Sequence, residues 1–147
     1  MPWANISQQE AKEAAKSYAG GNSNIVTCLP SGAAYDTIFK WIIQTGEKTF
    51  DDVVYDSTKW GNYCNTKESP IAVAPTGSNE SYKVLGIYDL AGNCAEWSTE
   101  QYGISFVISR GRYCYFNGYD WPAARRDVNY PDVIYCNFSF RTVLYVK

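Results

Sequence analysis

Apolar residues recur at helical spacing near the start of the chain, in the stripe formed by Ala11, Ala14, Ala15 and Tyr18. Ser7 and Glu10 precede this stripe with the spacing of a capping box, in which each side chain bonds the backbone N–H of the other residue. The pattern predicts a helix that begins at Ser7 and ends near Ala19, because Gly20-Gly21 follows.

A second helical pattern follows a short apolar run. Residues 25–29 predict a strand, and residues 30–31 (Pro-Ser) end it and supply a helix-capping serine. Over residues 32–44 apolar side chains return every three or four positions. This spacing predicts a second helix.

The remainder of the chain combines loop-rich segments with short strands. Residues 47–81 show no period, so we expect an irregular region there. Apolar and alternating stretches predict strands at 94–98, 105–109 and 138–145. Two early helices followed by strands indicate an α+β fold in a single domain, residues 1–147, rather than a βαβ wind.

Composition excludes several functions. The net charge is -2, without the concentrated basic face that nucleic acid requires, so no nucleic-acid partner is expected. No apolar run is long enough to cross a bilayer, so no membrane insertion is expected either. The chain has no histidine, the commonest general base and metal ligand. We see no signal peptide and expect the domain to belong to a longer protein.

The cysteine count is odd, and the five residues are Cys28, Cys64, Cys94, Cys114 and Cys136. No CxxC or zinc-ligand spacing is present. We therefore expect reduced thiols, no disulfide framework, no metal and no cofactor. Reduced thiols fit synthesis in a cytoplasm.

Several segments resemble motifs of the formylglycine-generating-enzyme-like (sulfatase-modifying factor) domains, in the same order along the chain. The most specific is YDLAGNCAEW at residues 88–97, against YDLAGNVWEW in that family. The weaker ones are residues 2–11 against PV-x-x-VSW-x-x-A, residues 29–35 against LPTEAEW, Arg110-Gly111 against RGGS(W/Y), and residues 138–141 against GFR. The resemblance implies a C-type-lectin-like fold of two helices, short antiparallel strands and long irregular loops.

The tract at about 110–141 is most similar to the variable proteins of diversity-generating retroelements. In those proteins an error-prone reverse transcriptase rewrites adenines in a template copy, which then replaces the end of the gene. The resemblance implies that the varied side chains share one solvent-facing ligand surface.

The residue types in the tract allow an independent check. An AAC codon randomised at both adenines yields Asn, Tyr, Asp, Ser, Cys, Phe, Ile, Val, Gly or Arg among others, but never Lys, Glu, Gln, Met or Trp. Residues 114–117, 127–130 and 134–137 pass this filter, and residues 102–146 contain no Lys, Glu, Gln or Met. Strands and loops also deplete Glu and Lys, which explains part of the pattern. Trp121 is a departure, because AAC cannot give its codon.

The tract is rich in Tyr, Trp, Asn and Asp, the residues that dominate binding loops, because they combine large contact areas with adaptable hydrogen bonds. The predicted ligand-binding residues are Cys114, Tyr115, Phe116, Asn117, Tyr119, Asp120, Trp121, Arg125, Asp127, Val128, Asn129, Tyr130, Ile134, Tyr135 and Asn137. Four other aromatic residues of this region are expected in the core, namely Tyr113, Phe138, Phe140 and Tyr145.

Three arginines and one motif carry separate expectations. We expect Arg141 to be a buried arginine paired with a carboxylate. We use the word frame for the residues that support the variable tract and do not vary themselves. Either Arg125 or Arg126 belongs to the frame and the other is varied; the sequence leaves the order open. Asn93 and Glu96 either hold loops by hydrogen bonds or bind calcium, which needs about six oxygen ligands.

These patterns indicate a non-catalytic domain that binds a protein or cell-surface ligand, made in a cytoplasm and displayed on a phage tail or a bacterial surface. One alternative is a formylglycine-generating oxidase, which by the resemblance needs two cysteines a few residues apart to hold copper; Cys114 has no such neighbour. The other alternative is a sugar-binding lectin. The Glu-Pro-Asn and Gln-Pro-Asp triplets of calcium-dependent lectins are missing, but an aromatic face can still stack on sugars.

Overall fold

The computed structural model describes residues 1–66 and 71–147. Its helices are α1 (Gln8–Ser17), α2 (Gly32–Gln44) and α3 (Phe50–Val54), with short 3-10 turns at Thr58–Trp60 and Glu80–Tyr82. Its strands are β1 (Ile25–Cys28), β2 (Lys83–Val84), β3 (Ile87–Tyr88), β4 (Ala95–Tyr102), β5 (Phe106–Arg110), β6 (Asp127–Asn129), β7 (Phe138–Ser139) and β8 (Val143–Val146). None of the described helices has the length and apolar character needed to cross a membrane.

The first two helices form where the sequence predicts them because their caps are local. The capping box of α1 is present: the Glu10 N–H donates to Ser7 Oγ (3.3 Å), and the Ser7 N–H donates to Glu10 Oε2 (2.9 Å). The N-cap of α2 is Ser31, whose Oγ accepts from the Ala34 N–H. The helix α2 has the predicted bounds, and α1 ends two residues before the predicted Ala19.

The prediction of an irregular region over residues 47–81 is wrong in part, because α3 lies within it. Thr49 caps this helix, and the Asp52 side chain accepts back from the Thr49 N–H. The helix is only five residues long, too short to show a helical period in the sequence. The segment 67–70 of the predicted region lies outside the described residues.

The main sheet has four strands in the order β6-β5-β4-β7. The β4–β5 and β5–β6 pairs are antiparallel, as expected, but β4 and β7 pair in parallel. A separate antiparallel pair joins β1, which follows the first helix, to β8, the last strand. A single strand over residues 138–145 was therefore a wrong prediction: Phe140 and Arg141 leave the sheet, and β7 and β8 pair with different partners.

Two buried clusters form the core. The first packs α2, through Tyr35, Phe39 and Ile42, against Val53 of α3 and Trp60. The second surrounds the fully buried Trp97 of β4, whose indole N–H donates to the Ile6 carbonyl (2.9 Å); the other cluster residues include Ala11, Leu29, Val107 and Phe138. Truncating such a buried aromatic side chain costs roughly 3–5 kcal/mol.

Of the four aromatic residues expected in the core, Phe138 is buried, and Tyr113 and Phe140 pack half-buried against the second cluster. The expectation for Tyr145 is wrong, because its side chain is 51% exposed. Tyr145 lies on the two-stranded β1–β8 sheet, which covers less of its surface than the four-stranded sheet would.

Candidate ligand-binding surface

The surface predicted from the sequence is formed by two long loops, one before and one after the edge strand β6. The first loop leaves β5 through Gly111 and Arg112, both in the left-handed backbone region with φ of 81° and 57°. The second loop runs from Tyr130 to Asn137 and returns to the sheet at β7. Both loops are therefore attached to the rigid four-stranded sheet at their ends.

The family-like motif at residues 88–97, called the signature segment from here on, holds these loops through backbone hydrogen bonds. Gly92 has a φ of 68°, and a Cβ there would lie 2.2 Å from the Asn62 carbonyl oxygen, so only glycine fits. The Cys114 N–H donates to the Asn93 carbonyl (3.2 Å), and the Ala95 N–H donates to the Asn137 carbonyl (2.9 Å). Each loop thus has a backbone hydrogen bond to this fixed segment.

A ring of four charges holds the end of the first loop. Arg126 donates to Glu100 Oε1 from Nε and to Asp36 Oδ2 from Nη2, both at 2.6 Å. Asp36 Oδ1 in turn accepts from the fully buried Arg110 (2.7 Å), whose Nη1 lies 3.9 Å from Glu100. Glu100 packs so tightly that a Cβ on Gly32 would lie 2.0 Å from its Oε2.

The ring distinguishes the two arginines by their contacts. Arg126 is tied by ion pairs to α2 and β4, whereas the guanidinium carbon of Arg125 lies 3.9 Å from the centre of the Trp121 ring. The two side chains are similarly exposed, so these contacts, and not burial, favour Arg126 as the residue that supports the loop.

Arg141 is the carboxylate-paired arginine that the sequence predicts. Its Nε and Nη2 each donate to the Glu96 carboxylate at 2.5 Å, and Nη2 also reaches the carbonyls of Tyr88 and Asp89. The Tyr35 hydroxyl donates to the same carboxylate (2.8 Å). Burial, followed by the Glu96 charge, raises the pKa of Tyr35, so its hydroxyl stays protonated and donates.

Asn93 and Glu96 use their side chains to hold loops. The Asn93 amide bonds Asn62 and both backbone groups of Ala74 at 2.8–3.1 Å. Among the residues that the structure describes, no group of three or more acidic, cysteine or histidine side chains is arranged to hold a metal ion. The hydrogen bonds of Asn93 therefore match the loop-holding alternative.

Arg112 is a site residue that the sequence analysis missed. Its guanidinium carbon lies 3.9 Å from the centre of the Phe116 ring and 4.0 Å from that of the Trp121 ring, and Nη1 lies 3.1 Å from Asp127 Oδ2. The two rings also contact each other edge to face, with centres 5.1 Å apart, and Arg125 contacts the Trp121 ring as a second cation. A signal for this residue was present: Arg112 occupies the second glycine of the RGGS-like motif, and its φ of 57° is a conformation that glycine adopts easily.

The predicted ligand-binding residues fall into three groups by exposure. The exposed ones are Tyr115, Tyr119, Asp120, Arg125, Val128, Tyr130, Ile134 and Tyr135. Half-buried are Phe116, Asn117, Trp121 and Asn129. Phe116 and Trp121 belong to the Arg112 stack, the Asn117 side chain bonds Asp120, and the Asn129 side chain bonds Ser109.

Cys114, Asp127 and Asn137 are buried, at 0%, 6% and 8% exposure, which corrects their assignment to the exposed surface. Cys114 and Asn137 are drawn in by their backbone bonds to the signature segment. Asp127 alternates with the exposed Val128 along β6, so its carboxylate faces Arg112 inside. Burial raises the pKa of that carboxyl, and the Arg112 charge opposes the rise.

The exposed residues border three grooves that also include frame residues. Tyr119 and Arg125 line one of about 540 Å³ with Tyr55, the residue that follows α3. Ile134 lines another of about 650 Å³ with Ile104 and Phe106 of the β4–β5 hairpin, and Tyr130 packs on Phe106. Tyr115 and Cys136 line a third with Trp3 and Val73. Tyr55 and Trp3 were not predicted, because they are distant in sequence from the tract. Ile104 was not predicted either, because it lies just before the tract, in the turn between β4 and β5.

All five cysteines are free thiols, and only Cys136 is exposed. Burial raises the pKa of the Cys114 thiol to about 11 and that of the Cys94 thiol to about 12. A thiol with such a pKa remains protonated at neutral pH and is a poor nucleophile.

The fold is C-type-lectin-like. It combines the helices α1 and α2, the β1–β8 pair and long irregular loops over a small four-stranded sheet. The chain belongs to the family of the sulfatase-modifying factor enzyme 1-like domain, whose profile matches residues 2–146. A comparison with curated protein sequences gave no match.

Three solved structures share this fold at 15% sequence identity, each covering 98% of this chain. They are the crystal structure of CarF (TM-score 0.78, 67% of that chain), PvdO from Pseudomonas aeruginosa (0.72, 61%) and Treponema denticola variable protein 1 (0.68, 70%). The present chain therefore spans about two thirds of the length of these proteins.

Proposed function

We propose that this domain is a non-catalytic ligand-binding module whose surface, formed by the loops before and after β6, is diversified by a retroelement to bind a protein or cell-surface ligand. The observation that carries the proposal is that the two loops expose large side chains while their backbone is fixed by hydrogen bonds to the rest of the domain. Tyr115, Tyr119, Tyr130 and Tyr135 are 52–67% exposed. The loops that carry them are held by backbone bonds to residues 88–97 and by the Arg126 ring.

This division suits a binding surface that changes its residues. Exposed tyrosines contribute contact area while contributing little to the core, so substitution there costs little stability. The backbone bonds do not depend on the identity of those side chains. The likeness to a structure described as a variable protein supports the proposal, although at 15% identity it concerns the fold.

The thiols favour this proposal over an oxidase. Cys114 is fully buried with a raised pKa, and the Cys136 thiol lies on the other loop, at the surface. A sugar remains one chemical form of a cell-surface ligand, because the exposed tyrosines can stack on a pyranose ring.

A display library tests the tolerance that diversification requires. Tyr115, Tyr119, Tyr130 and Tyr135 are randomised together, and a matched control library randomises four buried frame residues, Tyr35, Trp60, Leu90 and Trp97. We expect most members of the first library to resist protease and most members of the control to be digested. Panning the first library on immobilised lysozyme, an arbitrary test protein, should then yield binders. Equal digestion of both libraries would contradict the proposal.

The gene's own surroundings test the retroelement. We expect a near-copy of the 3′ end of the gene close by, differing from it only at adenines, together with a reverse-transcriptase gene. A locus without the copy and without the reverse transcriptase would overturn the diversification part of the proposal, while the library result would still bear on binding.

A further inference from the structure

A cavity of about 490 Å³ lies beside the signature segment, outside the diversified loops. Its walls include the aromatic side chains of Trp3, Tyr88 and Phe140 and the charged side chains of Asp89, Glu96 and Arg141. Trp3 is 65% exposed and packs on Phe140 with ring centres 5.5 Å apart. The cavity therefore offers flat aromatic surface next to ionisable groups.

The charges in this cavity do not cancel. Arg141 and Glu96 neutralise each other, because both carboxylate oxygens of Glu96 accept from the guanidinium at 2.5 Å. Arg141 donates to the Asp89 backbone carbonyl (3.3 Å), and its positive charge acts on the Asp89 carboxylate from beyond ion-pair distance. The Asp89 carboxylate accepts a long bond from the Gly77 N–H (3.4 Å) and interacts with the Asn93 side chain. One carboxylate is thus left without a cationic side chain as its partner among the charged residues of the cavity wall.

Asp89 is also held under strain. Its φ of 55° lies in the left-handed region, and its residue exposure is 8%. Burial raises the pKa of its carboxyl, and the nearby Glu96 charge adds to the effect. A buried carboxylate in this state gains free energy when a cation binds next to it.

We propose that this cavity binds an alkylammonium group, with Asp89 as the counter-ion and the exposed Trp3 ring as its aromatic wall. Aromatic faces attract organic cations through the negative charge of their π systems, and a carboxylate adds an ionic hydrogen bond. The ammonium group comes from a free amine or from a lysine side chain of a protein bound to the display surface. The second source is within reach because Trp3 also lines the groove that contains Tyr115 and Cys136.

Titration calorimetry with small probes tests the site. We expect n-butylammonium chloride to bind with a dissociation constant on the order of 1 mM, the usual range for so small a ligand. The neutral n-butanol should not bind detectably at the same concentrations, and calcium chloride should not compete. Equal heats from n-butanol and n-butylammonium would overturn the proposal without any variant.

Two variants assign the binding to its residues. Asp89→Asn keeps the shape and removes the charge, and asparagine tolerates a positive φ, so the fold should persist. We expect it to weaken n-butylammonium binding at least tenfold and Trp3→Ala to weaken it several-fold. The matched control is Asp51→Asn, an exposed aspartate on α3, which should bind like the parent. Unchanged binding in both Asp89→Asn and Trp3→Ala would contradict the proposal.

Comparing a lysine derivative with n-butylammonium distinguishes the two sources of the ammonium group, a protein lysine and a free amine. Nα-acetyl-lysine methylamide, which carries peptide groups on both sides of the lysine, should bind more tightly than n-butylammonium if protein lysines are the natural ligand. Weaker binding of this probe would assign the site to free amines. Failure of both probes would overturn the site and leave the proposed binding function of the loops untouched.

Discussion

Arg126 donates a hydrogen bond of 2.6 Å from Nη2 to Asp36 Oδ2. This contact joins the end of the first loop of the proposed binding surface, the loop between β5 and β6, to helix α2. Its neighbour Arg125 has no contact with Asp36 among those observed, and its guanidinium stacks on Trp121 within the loop itself. Two adjacent arginines thus make different contacts, one with the supporting helix and one within the loop. Substituting them one at a time can therefore separate an effect on the support of the surface from an effect on the surface itself.

Replacing each arginine by alanine should distinguish these tasks. Arg126→Ala removes the ion pairs with Asp36 and Glu100. The two carboxylates then keep only Arg110 as a cationic partner, so we expect a loss of about 1–2 kcal/mol in the free energy of unfolding. Arg125→Ala is a surface change and should cost less than about 0.5 kcal/mol. Urea denaturation measures both. Equal losses in the two variants would argue against Arg126 as a frame residue.

The same ring predicts a dependence of stability on pH. Partial burial alone would raise the pKa of Asp36, but the hydrogen bonds and charges of Arg126 and Arg110 outweigh it and lower the pKa. A carboxyl whose pKa is lower in the folded state contributes stability above its unfolded pKa, about 3.9, and loses that contribution as the pH falls through its folded pKa. The Asp36→Asn variant should therefore be less stable than the parent at pH 6, and the difference should shrink towards pH 3. A constant difference across this range would exclude the ion-pair contribution.

Features set by neighbouring residues could be predicted from the sequence. The capping serines Ser7 and Ser31 lie within three residues of the N–H groups that they accept from, so the starts of α1 and α2 were evident. The signature at residues 88–97 followed from the resemblance, and so did the expectation that Arg141 pairs with a carboxylate, although not that the carboxylate is Glu96. These are local patterns or motifs that a single chain displays directly.

Features that depend on distant contacts could not be predicted. The predicted strand over residues 138–145 is divided because its two halves pair with different distant strands, β7 with β4 and β8 with β1, which alternation within the segment does not signal. Cys114 has a residue type that randomisation produces, yet its N–H is bonded to the Asn93 carbonyl and its side chain is buried. A codon filter reports which residues are allowed at a position, whereas burial is decided by the fold around it.

The contrast between Cys136 and Cys114 can be measured with a thiol reagent. Cys136 is exposed, whereas Cys114 is inaccessible and its thiol has a pKa of about 11. Because only the thiolate reacts, we expect iodoacetamide at pH 8 to label Cys136 many times faster than Cys114, as read by peptide mass spectrometry. The variant Cys136→Ser should lack the labelling at position 136 without faster labelling at Cys114. Comparable rates at both residues would contradict the placement of Cys114 beneath the display surface.

The Arg112–Asp127 pair provides the most demanding test of how the first loop is held. Arg112 bears the strain of a positive φ, on the order of 1–2 kcal/mol, and offsets it by contacting the rings of Phe116 and Trp121 and by neutralising a buried carboxylate. Arg112→Ala keeps the strain and loses both contacts, so it should destabilise the fold by about 3 kcal/mol, much of it from the uncompensated charge on Asp127.

A double-mutant cycle isolates that charge. If the cost of Arg112→Ala comes mainly from the unpaired Asp127 carboxylate, then Asp127→Asn should remove most of it, because an amide carries no charge to desolvate. The double variant should therefore lose at least about 1 kcal/mol less than the sum of the two single losses, measured by urea denaturation at pH 7. Additive losses would mean that the two residues act independently and that the aromatic stack alone positions Arg112. In that case the first loop would be held by side chains that belong to the varied tract itself, and its shape would change with its sequence.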